Sequence, residues 1–371
     1  MRARDANGSR APWLLAWVIA CGSDDAPAVG PFDGPPAERQ VFVAVEGEGK
    51  IAAVEASSGA VRRSIDVSST RASHGCAGGS ERLAYDVHNV QGSADGKSVW
   101  VTAPPSGHTH GGGADELIAV DATTLQVTAR IPLGEGVHAS HVVLDGSTAF
   151  VTAYEVDAVL VVDTAARKVA RSIALPPGTK PHGLRLTSDR KTLVIAGMGK
   201  KGSVVLADAE TGATTSLALP GRAVQTATLP DGSAALVTVF DTKQVARVDL
   251  ATREVRLFDM PAGSVGPVQL YPTPDGRYVW VADQGVLDGR PAGDRVVRMS
   301  AATGATDLSV KVAAGPHGVV MNKMGDRLFV TTLVGGTLDA VDAASGAVLW
   351  STAVGAKPNG VTCLHAMGAS P

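Results

Sequence analysis

The chain has 371 residues, with 36 acidic and 33 basic side chains, a formal net charge of −3 and a hydrophobic fraction of 44%. This charge excludes the extended basic surface of a nucleic-acid-binding protein, and an aromatic fraction of 4% leaves few side chains for stacking on bases. A chain of 371 residues is long for one core unless its structure repeats radially.

The N-terminus has the composition of a signal peptide. Three arginines precede a short apolar run, residues 12–20, which is too short to span a bilayer. The run ends on Val-Ile-Ala-Cys-Gly, which resembles a bacterial lipobox and makes Cys21 the candidate lipidated first residue of the mature protein. An ordinary secretory signal with an incidental cysteine is the alternative. We therefore predict a signal peptide over residues 1–20.

Residues 21–39 form a segment rich in proline and glycine, the composition of an extended tether. With lipid on Cys21, this predicts a protein of the bacterial cell envelope, either periplasmic or surface-exposed, that touches the membrane only through its anchor. The partners expected for the folded part are a protein or a small-molecule ligand, and not nucleic acid.

A strand motif repeats along the rest of the chain. Close copies read Val-Trp-Val-Thr-Ala, Ala-Phe-Val-Thr-Ala, Ala-Leu-Val-Thr-Val and Leu-Phe-Val-Thr-Thr, at residues 99–103, 149–153, 235–239 and 328–332. Looser copies begin at residues 41, 193 and 279, which gives seven. A polar turn such as Asp-Gly precedes most of them, and a period of roughly forty to fifty residues is typical of a propeller or solenoid. Apolar alternation at period two, without a sustained helical period, predicts an all-β chain.

The two ends of the repeat region indicate how the array closes. Residues 39–67 supply the second to fourth strands of a unit that has no first strand before it. Residues 358–362 supply a first strand with no further strands after it. Joining the two removes exposed sheet edges. We therefore predict a seven-bladed β-propeller over residues 40–367, with the last blade closed by the N- and C-terminal strands.

Over nearly all of residues 40–367 the chain resembles the YVTN/YncE family of seven-bladed propellers. The matching motifs are the Val-Trp-Val-Thr and Phe-Val-Thr-Ala strands, Pro-Asp-Gly at residues 230–232 and 274–276, and Ala-Val-Asp at residues 119–121. The resemblance implies the fold. It implies no single activity, because this fold serves binding proteins, enzymes and cofactor carriers alike.

One position of the repeat carries histidine in four of the seven units. The position lies seven residues before the aspartate of each turn, or before Met324 and Ala366, which take the place of that aspartate. Its seven residues, here called the column, are His88, His138, His182, Val224, Val268, His317 and Asn359. Because the first strand of a blade lines the central channel, we predict that the column rings one mouth of the channel. Gln225 and Gln269, one step on, are candidates to replace the two valines. The remaining histidines expected on this face are His74, His108, His110 and His141.

Several imidazoles at one point predict a transition-metal site, since imidazole is the commonest ligand for such ions and zinc needs only three or four ligands. The candidate ligands are His88, His138, His182 and His317, with His108 and His110 on a glycine-rich loop above them. The candidate metals are copper and zinc. Asp86, Asp115 or Glu116 are candidates to orient the rings.

The step Asp86-Val87-His88 also resembles the hub-histidine motifs of the nitrous oxide reductase propeller, and that resemblance implies copper. Valine in two of the seven column positions departs from it. The competing interpretation is structural. Pro-His-Gly before a first strand, as at residues 181–183, is frequent in the YVTN/YncE family, where the ring can hydrogen-bond the backbone of the hub.

Three functions stay open on this basis. The first is an envelope lipoprotein that binds a ligand or partner at the channel mouth, with or without a histidine-bound metal. The second is a metal-dependent redox enzyme or metal carrier, and the third is a lyase or lactonase-like enzyme with histidine as base beside a divalent cation. The sequence contains no GxSxG, Walker A, HExxH or CxxC motif. That absence favours the first.

The two cysteines outside the lipobox predict a disulfide. Cys363 lies on the closing first strand, and Cys76 lies in the loop that enters the neighbouring blade. In an oxidising envelope, a bond between them would fix the closure of the ring. Two free buried thiols, or a ligand role for either cysteine, are the alternatives.

Overall fold

The computed structural model describes residues 39–72, 80–106 and 113–364, which form seven four-stranded antiparallel sheets and one two-stranded hairpin. The seven sheets are the blades of a β-propeller, so the predicted all-β, seven-bladed architecture is confirmed. Two short 3-10 turns, Glu46–Glu48 and Leu287–Gly289, lie wholly among these residues. No described helix has the length and apolar character needed to cross a bilayer.

The strands before the first continuous blade are β1 (Gln40–Val45), β2 (Lys50–Glu55), β3 (Val61–Asp66) and the hairpin β4 (Ser69–Ala72) with β5 (Ser80–Leu83). Blade 1 comprises β6 (Val90–Gly92), β7 (Ser98–Ala103), β8 (Ala114–Asp121) and β9 (Val127–Glu135). Blade 2 comprises β10 (Ala139–Asp145), β11 (Thr148–Ala153), β12 (Ala158–Asp163) and β13 (Lys168–Ala174). Blade 3 comprises β14 (Pro181–Leu186), β15 (Thr192–Gly197), β16 (Ser203–Asp208) and β17 (Thr214–Ala218).

Blade 4 comprises β18 (Ala223–Thr228), β19 (Ala234–Val239), β20 (Gln244–Asp249) and β21 (Val255–Asp259). Blade 5 comprises β22 (Pro267–Pro272), β23 (Tyr278–Gly285), β24 (Ala292–Ser300) and β25 (Thr306–Lys311). Blade 6 comprises β26 (Pro316–Met321), β27 (Arg327–Thr332), β28 (Thr337–Asp342) and β29 (Val348–Ala353). The last strand is β30 (Pro358–Cys363).

Blade 7 joins the two ends of the propeller. Strand β30 pairs antiparallel with β1, through Val41 with Cys363 and Val43 with Val361, and the sheet order is β3-β2-β1-β30. The inner strands of neighbouring blades contact one another around the ring, and β30 contacts both β26 and β6. The predicted closure by the terminal strands is therefore confirmed, and the inner strands form the hub around the central channel.

The apolar core lies between neighbouring blades. One cluster, for example, combines Val143 and Phe150 of blade 2 with Leu184 and Leu193 of blade 3. Strand β19 is buried along its whole length, because a middle strand is covered by the blades on both sides. Strands at the outer edge, such as β17, alternate between exposed and half-buried residues. Apolar burial between sheets, the main favourable term in folding, thus fixes the ring.

The threonine of the repeated motif ties each blade that carries it to the next. The hydroxyl of this threonine donates to an inner-strand carbonyl of the following blade. The pairs are Thr102 with Ser140 at 2.7 Å, Thr152 with His182 at 2.6 Å, Thr238 with Val268 at 2.8 Å and Thr331 with Asn359 at 2.6 Å. The same hydroxyls accept from backbone N–H groups of their own inner strand, with Gln225 N at 3.0 Å from Thr238 Oγ1 as an example. The motif therefore satisfies buried backbone groups at the hub.

Those N–H groups are available because the inner strands carry a β-bulge. In blade 3, Pro181 pairs with Gly197 and the next pair is Leu184 with Ile195, so the inner strand has one extra residue. Blades 2, 4, 5 and 6 show a register shift at the corresponding place. A bulge breaks the strict alternation of side chains and re-aims them. Two consecutive residues of an inner strand can thus contribute side chains to the hub.

Candidate metal centre

The strand pairing corrects one position of the column. Six residues separate the paired Leu186 and Leu193 of blade 3, whereas four separate the paired Leu144 and Ala149 of blade 2. Counting back from the shorter turn therefore lands two residues early. Ser140, and not His138, occupies the position of His182, and His141 lies one step further on. The assignment of His138 to the same phase was wrong.

Three histidines from consecutive blades meet at the hub. They are His88 just before β6, His141 in β10 and His182 in β14, here called the histidine group. One ring nitrogen of each lies within 4.8 Å of the corresponding atoms of the other two. The Nε2 atoms of His88 and His182 are 3.3 Å apart. The structure thus brings the predicted His88 and His182 together with His141.

Glu46, in the turn after β1, orients the ring of His88. Its Oε2 lies 3.3 Å from Nδ1 of His88 and accepts a hydrogen bond from Nδ2 of Asn359 at 2.5 Å. Burial alone would raise the pKa of Glu46, but the hydrogen bond and charge of His88 and the amide of Asn359 outweigh it, and the pKa falls to about 2. The carboxylate is therefore ionised and can accept the Nδ1 proton of His88, and in the neutral tautomer that carries this proton, Nε2 presents its lone pair.

The backbone orients the ring of His182. Its Nδ1 lies 2.9 Å from the carbonyl oxygen of Val224. A carbonyl only accepts, so Nδ1 carries the proton and Nε2 has a free lone pair. Burial, followed by the charge of His88, lowers the pKa of His182 to about 3. The ring is therefore neutral at physiological pH, the state that a metal ligand needs.

His141 is the most enclosed of the three. Burial, and then the neighbouring His182, hold its pKa well below the ordinary value. Its Nδ1 lies 3.3 Å from Nε2 of Gln225, whose Oε1 accepts from the backbone N of Thr226 at 2.9 Å. The Nε2 atom of His141 is buried and has no hydrogen-bond partner among the described residues. Because an amide nitrogen only donates, Nδ1 of His141 accepts from Gln225 and the proton of the neutral ring lies on Nε2, so that ligation of a metal through Nε2 requires the other tautomer.

The spacing of His88 and His182 suits a cation between their rings. At 3.3 Å the Nε2 atoms of His88 and His182 need either a shared proton or a cation between them, because two lone pairs alone would repel at that distance. Tetrahedral bonds of about 2.0–2.1 Å to zinc place two ligand nitrogens about 3.3 Å apart. The separation of the His88 and His182 Nε2 atoms thus matches that edge.

The other predicted ligands lie around this group or outside the described residues. The His138 ring centroid is 6.4 Å from that of His88 and 5.4 Å from that of Tyr154. Nδ1 of His317 lies 2.5 Å from Nε2 of Gln284, and burial lowers the pKa of His317 to about 4. The structure places neither ring in the histidine group. The predicted positions that lie outside the described residues are Cys21, His74, Cys76, His108 and His110.

Cys363 forms no disulfide with a described residue, and burial raises the pKa of its thiol. Because Cys76 lies outside the described residues, their predicted disulfide stays a prediction.

Sequence reasoning missed Glu46 and named other carboxylates. Asp115 instead accepts a hydrogen bond from the backbone N of Ala139 at 2.6 Å, and Glu116 pairs with Arg130 at 2.7 Å. Glu46 follows an apolar strand in the closing blade, and nothing in its local sequence marks it. Its role arises only because the ring closes and brings blade 7 beside blade 1.

The glutamines one step beyond the column do reach the hub. Nε2 of Gln225 donates to Oε1 of Gln269 at 3.0 Å and also faces His141. The glycine of the Pro-His-Gly motif in blade 3 makes room for Gln225, since a Cβ on Gly183 would lie 2.0 Å from Oε1 of Gln225. That motif is therefore a packing requirement as well as a source of histidine.

No protein-family model matches the sequence, and no curated protein is significantly similar to it. Among solved structures, the periplasmic gluconolactonase PpgL of Pseudomonas aeruginosa is 18% identical, with a TM-score of 0.65 over 88% of this chain and 99% of that one. Hydrazine synthase of Kuenenia stuttgartiensis is 19% identical, with a TM-score of 0.62 over 74% of this chain and 88% of that one. A putative 6-phosphogluconolactonase of Bacteroides fragilis is 14% identical, with a TM-score of 0.63 over 89% of this chain and 99% of that one. At these identities the similarity establishes the propeller fold alone.

Proposed function

We propose that this chain is a metal-binding propeller of the YVTN/YncE type that holds one transition-metal ion, zinc or copper, on His88, His141 and His182. The observation that carries the proposal is the convergence of three ring nitrogens within 4.8 Å. Burial supports it, because it keeps His141 and His182 neutral and thus able to ligate.

The surroundings of the ligands fit this role. Metal-bound histidines almost always donate their second ring N–H to a carboxylate or carbonyl, which fixes the tautomer and the ring orientation. Glu46 is placed to accept such a bond from His88, and the carbonyl of Val224 accepts one from His182, whereas Nδ1 of His141 faces the donor amide of Gln225. Three nitrogen ligands suit zinc or copper and leave a coordination position for water or a ligand.

The direct test is metal analysis of the purified full chain. We expect about one zinc or copper ion per chain in the wild type, and near-complete loss in His182→Ala. His138→Ala is the matched control, because that histidine lies on the same face but outside the histidine group, and it should keep its metal. Wild-type protein without stoichiometric metal, or a His182→Ala variant that binds as much as wild type, would refute the proposal.

Lactone hydrolysis is the second candidate function. It is favoured by the open coordination position, because catalytic zinc sites combine three protein ligands with an activated water. Two of the structural neighbours are named as a gluconolactonase and a putative 6-phosphogluconolactonase. We expect zinc-loaded protein to hydrolyse gluconolactone faster than metal-free protein or His182→Ala does. Equal rates in all three, after subtraction of spontaneous hydrolysis, would leave binding or carriage of the metal as the function.

The cellular location belongs to the same proposal. The lipobox-like sequence around Cys21 and the tether after it support an envelope protein anchored by lipid. A periplasmic enzyme among the structural neighbours is compatible with that location. A metal centre facing the periplasm or the exterior would take its ion from that compartment.

A further inference from the structure

A second feature of the hub lies beyond the histidine group. A cavity of about 60 Å³ extends along the inner strands from the level of Gln269 to Ser93 and Ala94, in the turn after β6. Six of the seven inner strands contribute to its lining, and no aspartate or glutamate is among the described residues that line it. The cavity is therefore distinct in position and in chemistry from the site of His88 and Glu46.

Arg185 brings a positive charge to this cavity. The seven inner-strand residues at its level are Gln91, Val143, Arg185, Ala227, Tyr271, Val320 and Thr362, and it is the one charged residue among them. Its one hydrogen bond to a described residue runs from Nη1 to the carbonyl of Leu184 at 2.9 Å. No described carboxylate lies within 4.0 Å of its guanidinium nitrogens.

Arg185 is half-buried and has no ion-pair partner among the described residues, and a cation partly withdrawn from water favours a counter-charge beside it. Burial lowers the pKa of Arg185, but a guanidinium stays protonated in proteins. Only one of its five N–H groups donates a hydrogen bond to a described residue, and the other N–H groups of the guanidinium are available to an acceptor.

Two further donors line the same cavity. Nε2 of Gln269 is buried and has no hydrogen-bond partner among the described residues, although its Oε1 accepts from Gln225. The hydroxyl of Tyr271 makes no hydrogen bond to a described residue, and burial raises its pKa, so it stays a donor. Arginine, amide and phenol thus supply donors where the described lining supplies no anionic acceptor.

We propose that this cavity binds a small planar oxyanion, the chemistry shared by carboxylates and by inorganic anions such as nitrate, with Arg185 as its principal partner. A guanidinium matches a planar oxyanion with two parallel N–H bonds, and Gln269 and Tyr271 supply further donors. Since a water needs at least about 10–15 Å³ of such volume, the cavity admits a few waters or an anion of about four non-hydrogen atoms. The site does not depend on the metal, because none of its three donors is a metal ligand.

The test is titration of metal-free full-length protein with sodium acetate and with sodium nitrate, against sodium chloride at the same ionic strength. We expect saturable heat in calorimetry and a rise in melting temperature with acetate or nitrate beyond that with chloride. Saturation by acetate alone identifies a carboxylate ligand, and saturation by both identifies planar oxyanions in general. Saturation by neither overturns the proposal.

The variants assign the binding to this cavity. Arg185→Gln should weaken the anion by about tenfold or more, the value of a charge-assisted hydrogen bond. Arg190→Gln is the matched control, since that side chain is 56% exposed beside Asp145 and should bind as wild type does. If Arg185→Gln does not fold, Gln269→Leu removes one donor, keeps the charge and should still weaken binding. Unchanged affinity in whichever of these two variants folds overturns the assignment.

Discussion

Replacing Glu46 by glutamine tests whether the carboxylate beside His88 supports a metal ligand. The substitution removes the charge but keeps an oxygen that can accept from Nδ1 of His88 and from Asn359. The difference between the ordinary pKa of 4.5 and about 2 corresponds to roughly 3 kcal/mol of net stabilisation of the carboxylate. His88 provides the largest favourable share of it.

Only part of that energy bears on the metal, because Asn359 shares the carboxylate. Changing a residue that orients a ligand typically costs ten- to a hundredfold in metal affinity, or about 1.4–2.7 kcal/mol. We therefore expect Glu46→Gln to weaken zinc by about tenfold or somewhat more and to leave the stoichiometry at one. Competition with a chromophoric chelator at neutral pH measures that difference.

The control lies two residues along the chain. Glu48 belongs to the same short turn but pairs with Lys50 and with the backbone N of Ala356, at 2.9 Å each, and does not contact a histidine. Glu48→Gln should thus bind zinc as wild type does. Equal zinc affinity in Glu46→Gln and wild type would refute the reasoning that His88 ligates through Nε2 with its proton held on Nδ1. A loss of equal size in Glu48→Gln would assign the effect to the turn as a whole.

Four further predictions follow from the same contacts. Burial lowers the pKa of His182 to about 3 and of His317 to about 4, so the unfolded state takes up protons first as the pH falls below about 6.5. The free energy of unfolding of metal-free protein in urea should then fall by up to roughly 1.4 kcal/mol per pH unit for each ring down to about pH 4, and a flat profile would contradict this. Thr238→Val removes the hydrogen bonds to Val268 O and from Gln225 N. We expect the free energy of unfolding, measured by chemical denaturation, to fall by about 1–3 kcal/mol. A fall of less than about 0.5 kcal/mol would argue against a stabilising hydrogen bond between the blades. Deleting the residues after Lys357 removes β30 and should abolish cooperative melting, so a wild-type melting temperature would be the contrary result. Cys21→Ser should move the protein from the membrane to the soluble fraction, and unchanged fractionation would argue against lipidation.

The fold could be predicted because each blade repeats the same local sequence pattern. Short alternating strands and Asp-Gly turns recur at a fixed period, and the incomplete units at residues 39–67 and 358–362 complement each other. Sheet edges must be paired, so two fragments of one unit at the ends of an array indicate a closed ring. None of this needed knowledge of side-chain packing.

The candidate site could be predicted only in part, because it depends on departures from the repeat. The bulge lets adjacent positions such as Ser140 and His141 both serve the hub, and the short turn of blade 2 shifts the count by two residues. A histidine at the same strand position also contributes to the site only if a histidine of a nearby blade lies within contact distance. His88 and His182 meet across blade 2, whereas His317 lies in blade 6, on the far side of blade 7 from His88.

The charges at the hub also bear on what the open coordination position would accept. A divalent ion on three neutral rings, with one carboxylate at Glu46, leaves a net charge of about +1 in a buried place. The column residues of blades 4 and 5, Val224 and Val268, have apolar side chains and supply no compensating charge. Because an uncompensated buried charge is costly, an anionic ligand such as hydroxide or a carboxylate is favoured there over a neutral one. Metal-assisted hydrolysis and capture of an anionic ligand both require that preference, so the dependence of metal affinity on added carboxylate should distinguish this centre from a closed structural site.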